Sequence, residues 1–460
     1  MLQKLVELTN AGSAYAWGTW MLALLLGTGI LLTIRTKLVQ IKRFPLAFRL
    51  MLRGAMGKDR FEKETGDLSP FQALTTALAA TVGNGNIAGV ATAIYWGGPG
   101  APFWMFLAAI LGMATKYAEA TLGVKFRRKA EDGTIASGPM YYIEQGIGGS
   151  FGKTLAITFA VAGAIASLFS TGNMMQSNSV ALAFNTQFKI PFWLTGVVMT
   201  FLAGLVVIGG IKRIGTVAER LVPTMVLLYI GGGLFIILVH FTAIPQAIWL
   251  IIKSAFTAKA AMGGFIGATV RQAIRRGVSR GLLSNEAGLG SAPIAHGTAK
   301  THDPARQGLI GIMEVFIDTI VVCMMTALVI ILTGRWTSGL DSTALTISAF
   351  NSTIPFGGVI VALSSALFGF STVIGWCYYG EQCLEYLFGL KITKPYRMVY
   401  LFLTFIGAIL QKENLIIVWN VGDMANALMS VPNLIGLILL SGVVGKVTKD
   451  YFTKERTFIQ

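Results

Sequence analysis

The sequence predicts an all-α polytopic membrane protein of about eleven transmembrane helices. Three observations predict it. Of 460 residues, 54% are apolar or aromatic and only 13% are charged. Soluble domains carry about 25% charged residues, so lipid is the expected solvent. Apolar runs long enough to span recur along the chain, about 20 residues crossing a hydrocarbon core. The basic residues between those runs alternate in density. The 54 glycines fit the same class, because membrane helices use Gly for close approach and for local breaks.

The runs centre near Leu25, Ala88, Ile110, Ala164, Leu202, Leu228, Ala273, Val322, Leu367, Phe405 and Ile435. The first, Trp17 to Ile34, is too long for a cleaved leader and lacks a small-residue cleavage site. The seventh is interrupted by Arg271, Arg275, Arg276 and Arg280, but Ala261–Thr269 and Gly281–Ala295 are apolar on either side. Alternate loops and the tail collect twenty-six Lys and Arg, nine of them between Arg35 and Lys63, against six on the opposite side. The positive-inside rule then puts the N-terminus outside and the C-terminus in the cytoplasm of a cell-membrane protein. It also explains the net charge of +16 without nucleic acid. Cys323, Cys377 and Cys383 show no metal-ligand spacing and read as packing residues.

Two spans carry sequence that a helix at membrane depth should avoid. Ala79–Gly89 holds three glycines and two asparagines, and Arg276–Gly288 again mixes Gly with polar residues. Irregular backbone is tolerated in a bilayer only where it lines a cavity. There, half-helix N-termini can hold a carboxylate and free carbonyls a cation. The breaks fall in spans two and seven, which run in opposite directions. Five spans followed by five inverted ones, each set opening on a broken helix, point to a secondary transporter. The expected units are 1–65, an extra helix and basic loop; 66–240 and 241–445, the two repeats; and 446–460, a cytoplasmic tail.

The chain resembles the alanine or glycine:cation symporter family. The resemblance rests on Gly97-Gly98-Pro99-Gly100-Ala101-Pro102-Phe103-Trp104-Met105-Phe106, Gly112-Met113-Ala114-Thr115-Lys116-Tyr117-Ala118-Glu119 and Ser284-Asn285-Glu286-Ala287-Gly288-Leu289-Gly290-Ser291-Ala292-Pro293, and it runs from about Trp17 to Gly445. Pro102, Phe106 and Asn84 depart from the family's usual residues. The resemblance implies a LeuT-like 5+5 inverted repeat preceded by one helix, with substrate enclosed by spans two, four, seven and nine.

It also carries over the site. Thr81, Gly83, Asn84 and Gly85 would meet substrate through broken backbone, and short residues there leave N–H groups bare to a carboxylate. Gln176, after Thr171-Gly172-Asn173-Met174-Met175, can donate to a carboxylate and accept from an ammonium. Ser279, Arg280, Gly281 and Leu282 match the family's second unwound stretch, with Arg280 free to pair with substrate or with Glu286. Thr372 is a further substrate contact. A sodium site is implied at the Ala79 and Val82 carbonyls with Ser371 and Thr372, while each hydroxyl could equally bond its own helix backbone. Asn86 is a candidate for a second ion. Glu314 and Asp318 share a helix face and are expected to pair with Arg275, Arg276 or Lys116; Lys116 and Glu119 could pair locally. Glu381 and Glu385 read as wet.

The expected function is sodium-coupled uptake of a small neutral amino acid, alanine or glycine, with serine or glutamine as further candidates. A glutamine-preferring or proton-coupled symporter of the same fold is the alternative. No cofactor is expected, and sodium enters as coupling ion. An ion channel would need symmetric pore elements. An enzyme would need a complete hydrolase signature such as His-Glu-x-x-His, and a primary pump would need Gly-x-x-x-x-Gly-Lys-Ser/Thr; neither of these motifs is present.

Overall fold

The computed structural model describes residues 2–58, 64–169, 172–258, 267–410 and 412–459. Among the described residues, seven helices are long and apolar enough to cross a membrane, and one bent pair passes the same test together. The count of eleven is not reached by length and apolarity. Phe192–Val207 is apolar but only 16 residues long. Span seven is a 16-residue helix whose four arginines lower its hydropathy. Part of the apolar stretch before it, 261–266, lies outside the described residues.

The chain opens on α1 (Leu2–Ala16), which was not anticipated, and α2 (Thr19–Arg35). Next comes the bent pair. α3 (Pro70–Thr81) starts at a capping box, in which Ser69 accepts from the Gln72 N–H and the Gln72 side chain accepts from the Ser69 N–H. It stops at Val82, whose backbone is extended. A short 3₁₀ turn, Asn84–Asn86, leads to α4 (Ala88–Gly97), and the two helices meet at 60°. The local cause is a rival acceptor. The Gly83 N–H donates to Asn86 Oδ1 at 2.9 Å instead of continuing the helix, so the Ala79 carbonyl loses its i+4 donor.

α5 (Ala101–Lys125) crosses the bundle centre, and its inner half is buried almost throughout. α6 (Gly149–Phe169) and α7 (Met174–Phe188) make up span four. Thr171 lies outside the described residues. α7 begins where Asn173 leaves helical geometry and donates to the Tyr400 carbonyl. The long helix α8 (Gly210–Val239) follows Phe192–Val207.

The second break differs in place from the expectation. α9 (Val270–Asn285) is continuous, so Ser279, Arg280, Gly281 and Leu282 are helical rather than unwound. Unwinding comes after it, over 286–291, before α10 (Ala292–His296). The reason is conformational. Glu286 takes the left-handed region at φ 55°, and Gly288 and Gly290 follow at φ 92° and 87°. Those angles suit Gly and end a right-handed helix. Gly277 and Gly281 serve packing instead: a Cβ at Gly277 would sit 2.2 Å from the Ala101 carbonyl oxygen.

α11 (Pro304–Val315) runs into a π-helical stretch, Phe316–Cys323, and then α12 (Met324–Leu332). Such stretches frequently mark functional sites. α13 (Gly357–Phe388), α14 (Thr393–Ile409) and α15 (Lys412–Leu439) complete the bundle. Large apolar side chains such as Phe201, Leu227 and Phe402 are exposed on its flanks, as expected where lipid is the solvent.

Candidate functional site

The first break faces α7 and α13. Asn84 donates to Gln176 Oε1 twice, from its backbone N–H at 3.3 Å and from Nδ2 at 2.9 Å. Asn84 Oδ1 accepts from Ser365. Gly83 is pressed between two partners: a Cβ there would lie 2.8 Å from Thr372 Oγ1 and 3.2 Å from Gln176 Nε2. Gly83→Ala is therefore expected to displace Gln176 or Thr372 and weaken substrate binding about ten-fold, the scale of one lost hydrogen bond of about 1.4 kcal/mol. A titration of purified protein with labelled alanine checks this; unchanged affinity would count against a site at Gly83.

Beside this network lies a cavity of about 100 Å³. Asn84, Gly85, Gln176, Ser179, Ser284 and Arg280 are among its lining residues. Of the residues expected at the substrate, the structure brings Asn84, Gly85, Gln176 and Arg280 to this cavity. Gly83 and Thr372 sit against Gln176 behind it. Thr81, Ser279, Gly281 and Leu282 are not on its wall: Thr81 donates to its own helix at the Ala77 carbonyl, and Ser279 to that of Arg276. Ser179, Ser284 and Asp423 line it and were not singled out beforehand. Asp423, an acid inside an apolar run, was the available signal.

The helix that carries Ser371 and Thr372, α13, packs against the C-terminal end of α3. Gly375, one turn from Ser371 and Thr372, packs so tightly on α3 that a Cβ would lie 3.0 Å from Ala80 Cβ. Ser371 and Thr372 both donate to the Phe368 carbonyl, each at 2.9 Å. Thr372 Oγ1 lies beside Gly83, next to the negative end of α3 where the Ala79 carbonyl has lost its donor. Hard oxygen donors of this kind suit sodium.

Asn86 makes a second junction. Its Nδ2 donates to Asp318 Oδ1 at 2.7 Å and to the Asp318 carbonyl at 3.0 Å. Ser284 donates to both carboxylate oxygens of Asp318, at 3.3 and 3.1 Å, and Thr319 donates to Oδ2 at 2.7 Å. Asp318 thus joins both broken helices from the π-helical stretch. It makes no ion pair among the described residues, contrary to the expected pairing with an arginine or lysine. Asp318, Asn86 and Thr319 are fully buried and Ser284 nearly so.

Of the expected pairings, Glu314 with Lys116 is observed and Lys116 with Glu119 is not. Lys116 Nζ reaches Glu314 at 2.8 Å rather than Glu119, and His296 Nε2 meets the other Glu314 oxygen at 3.0 Å. Glu119 Oε1 instead accepts from the backbone N–H groups of Gly288 and Gly290, at 3.2 and 3.1 Å, and from Asn433 at 2.7 Å. Glu286 is held by Ser291 and by Trp376 Nε1, so it is not the partner of Arg280. Glu119 thus holds the second unwound segment from α5, and Glu286 within the segment ties it to Trp376 of α13. Glu381 and Glu385 are buried rather than wet, and Glu381 pairs with Arg397.

The chain matches the sodium:alanine symporter family over residues 2–459. It is 47% identical to the sodium/alanine symporter AgcS of Methanococcus maripaludis over 451 residues, covering 97% of both chains. It is 36% identical over 464 residues to a Bacillus subtilis protein named "Probable sodium/glutamine symporter GlnT", covering 99% of this chain and 92% of that one. The crystal structure of MhsT in complex with L-phenylalanine aligns with a TM-score of 0.55 at 13% identity, over 84% of this chain and 98% of that one, which shows a LeuT-like fold.

Proposed function

Because the chain belongs to the sodium:alanine symporter family, we propose that it takes up a small neutral amino acid, alanine or glycine, with sodium by alternating access. It is a transporter and not an enzyme. The observation that carries the substrate reading is the small cavity on the first break, where Asn84, Gly85 and Gln176 present amide and backbone groups and leave little room for a side chain. Gln176 would bridge the amino acid's carboxylate and ammonium, with Gly83 and Thr372 packed behind it and Thr81 acting through the position of the end of α3. Arg280 would face the carboxylate from α9. Ser279, Gly281 and Leu282 would act through the position of that helix.

One sodium would bind the Ala79 and Val82 carbonyls with Ser371 and Thr372, joining α3 to α13. A second cation would bind at Asn86 with Asp318, joining both breaks. Filling these sites draws the halves of each broken helix into one shape, and the bundle then rocks around the loaded centre. We place the N-terminus outside and the C-terminus in the cytoplasm, following the charge bias of the loops. A membrane potential then contributes about 2.3 kcal/mol per charge at 100 mV to inward movement.

Labelled alanine uptake into proteoliposomes tests this reading, with an inward sodium gradient and a choline control. Sodium-dependent accumulation inhibited by glycine is expected. Stronger inhibition by glutamine would reassign the substrate to the relative GlnT's class. Accumulation driven by a proton gradient and indifferent to sodium would discard both sodium sites.

A further inference from the structure

A second cavity of about 260 Å³ lies next to the first and shares Arg280, Leu283 and Asp423 with it. Its walls come from α1, α9 and α15. Three guanidinium groups enter it from α9, those of Arg275, Arg276 and Arg280. None of them makes an ion pair among the described residues. Arg276 lies over the Trp96 ring at 5.6 Å. Asp423 faces them from α15, within electrostatic reach of Arg280.

Helix α1 closes the far side. Trp17 Nε1 donates to the Asp423 carbonyl at 3.0 Å, and Asn420 Nδ2 donates to Asn10 at 2.8 Å and to Thr9 at 3.2 Å. Ser13 donates to Asp423 Oδ2 at 3.5 Å. The α1 side chains lining the cavity are neutral, and the carboxylates within electrostatic reach of the arginines are Asp423, beside Arg280, and Asp341, beside Arg276. Unpaired cations at the mouth of an intramembrane cavity are costly unless something anionic visits them. With Asp341 beside Arg276, the lining keeps Arg275 and Arg280 opposite Asp423, which matches a zwitterion: the arginines suit an α-carboxylate, and Asp423 suits an α-ammonium.

We propose that this cavity is an antechamber that binds the free amino acid as a zwitterion before it enters the inner site, with Arg275 and Arg280 taking the carboxylate and Asp423 the ammonium. The proposal rests on the reading of the substrate as an amino acid. Arg275 is exposed in the cavity, away from the inner wall, so it can be changed without disturbing Gln176 or Asn84. A positive antechamber raises the local substrate concentration by an electrostatic effect that salt weakens.

The experiment measures kcat/KM for sodium-driven alanine uptake in proteoliposomes, at one sodium gradient, with low or high choline chloride. Arg275→Glu is expected to lower kcat/KM about ten-fold at low ionic strength and about two-fold at high, and Arg275→Lys to recover most of the loss. Equal values for wild type and Arg275→Glu at low ionic strength would overturn the antechamber. So would an equal loss at both ionic strengths, which a merely structural role would give. Alanine uptake absent from wild type itself would overturn the substrate reading and the antechamber with it; intact wild-type uptake with an unaffected variant overturns the antechamber alone.

Discussion

Replacing Lys116 by methionine is expected to destabilise the protein by about 3–5 kcal/mol, the range for removing one partner of a buried ion pair. Lys116 and Glu314 are both fully buried, 2.8 Å apart, and lie between α5 and α11. Without the ammonium, the Glu314 charge keeps, among the described residues, His296 of α10 as its side-chain partner. Glu119 and Glu286, which bind the second unwound segment nearby, lose the same positive charge. Thermal unfolding in detergent reads the effect. The double variant Lys116→Met with Glu314→Leu is expected to recover part of the loss, because burying neither charge removes the unpaired one. A single variant as stable as wild type would mean that the carboxylates here are neutral and that Lys116 does not hold the segment.

The second large effect is expected at Asp318. Hydrogen bonds to a charged group contribute about 1.5–3 kcal/mol each, about ten- to a hundred-fold in a binding constant. Asp318→Asn keeps the shape but removes the charge. Its amide nitrogen must face one of the present donors, Asn86 Nδ2 or the Thr319 and Ser284 hydroxyls. If a cation binds here, the sodium concentration for half-maximal uptake rises by that factor while the folded protein persists. The measurement is the sodium dependence of alanine uptake by wild type and variant. Identical sodium curves would remove Asp318 from the coupling and leave the α3–α13 site as the only sodium site proposed.

Much of the first break was legible in sequence. Gly83, Asn84 and Gly85 are three adjacent poor helix formers in an apolar run, so the interruption and its polar groups could be read directly. The second break was misplaced by several residues. Gly277 and Gly281 look as disruptive as Gly288 and Gly290, but they contact Ala101 and Met105 across a helix interface. Local propensity does not distinguish a glycine needed for close packing from one needed for positive φ. Asp318 was recognised as an acid at membrane depth, yet its lack of a cationic partner was not legible. That depends on which of Lys116, Arg275 and Arg276 the bundle brings near it.

The sequence by itself determined the membrane class, the relation to the family, the existence of two broken regions and most of the polar groups at the first. Composition, run length and local backbone preference act over a few residues to one span, and they are written in order along the chain. Only the tertiary structure decided which buried charge meets which. Lys116 chose Glu314, 198 positions away, over Glu119 three away, and Glu119 instead took the backbone of the unwound segment. It also decided that the unanticipated α1 would close a cavity lined by arginines. Such pairings follow from helix packing in three dimensions, where a desolvated charge is held by whichever donor the fold places within about 3 Å, whatever its distance in sequence.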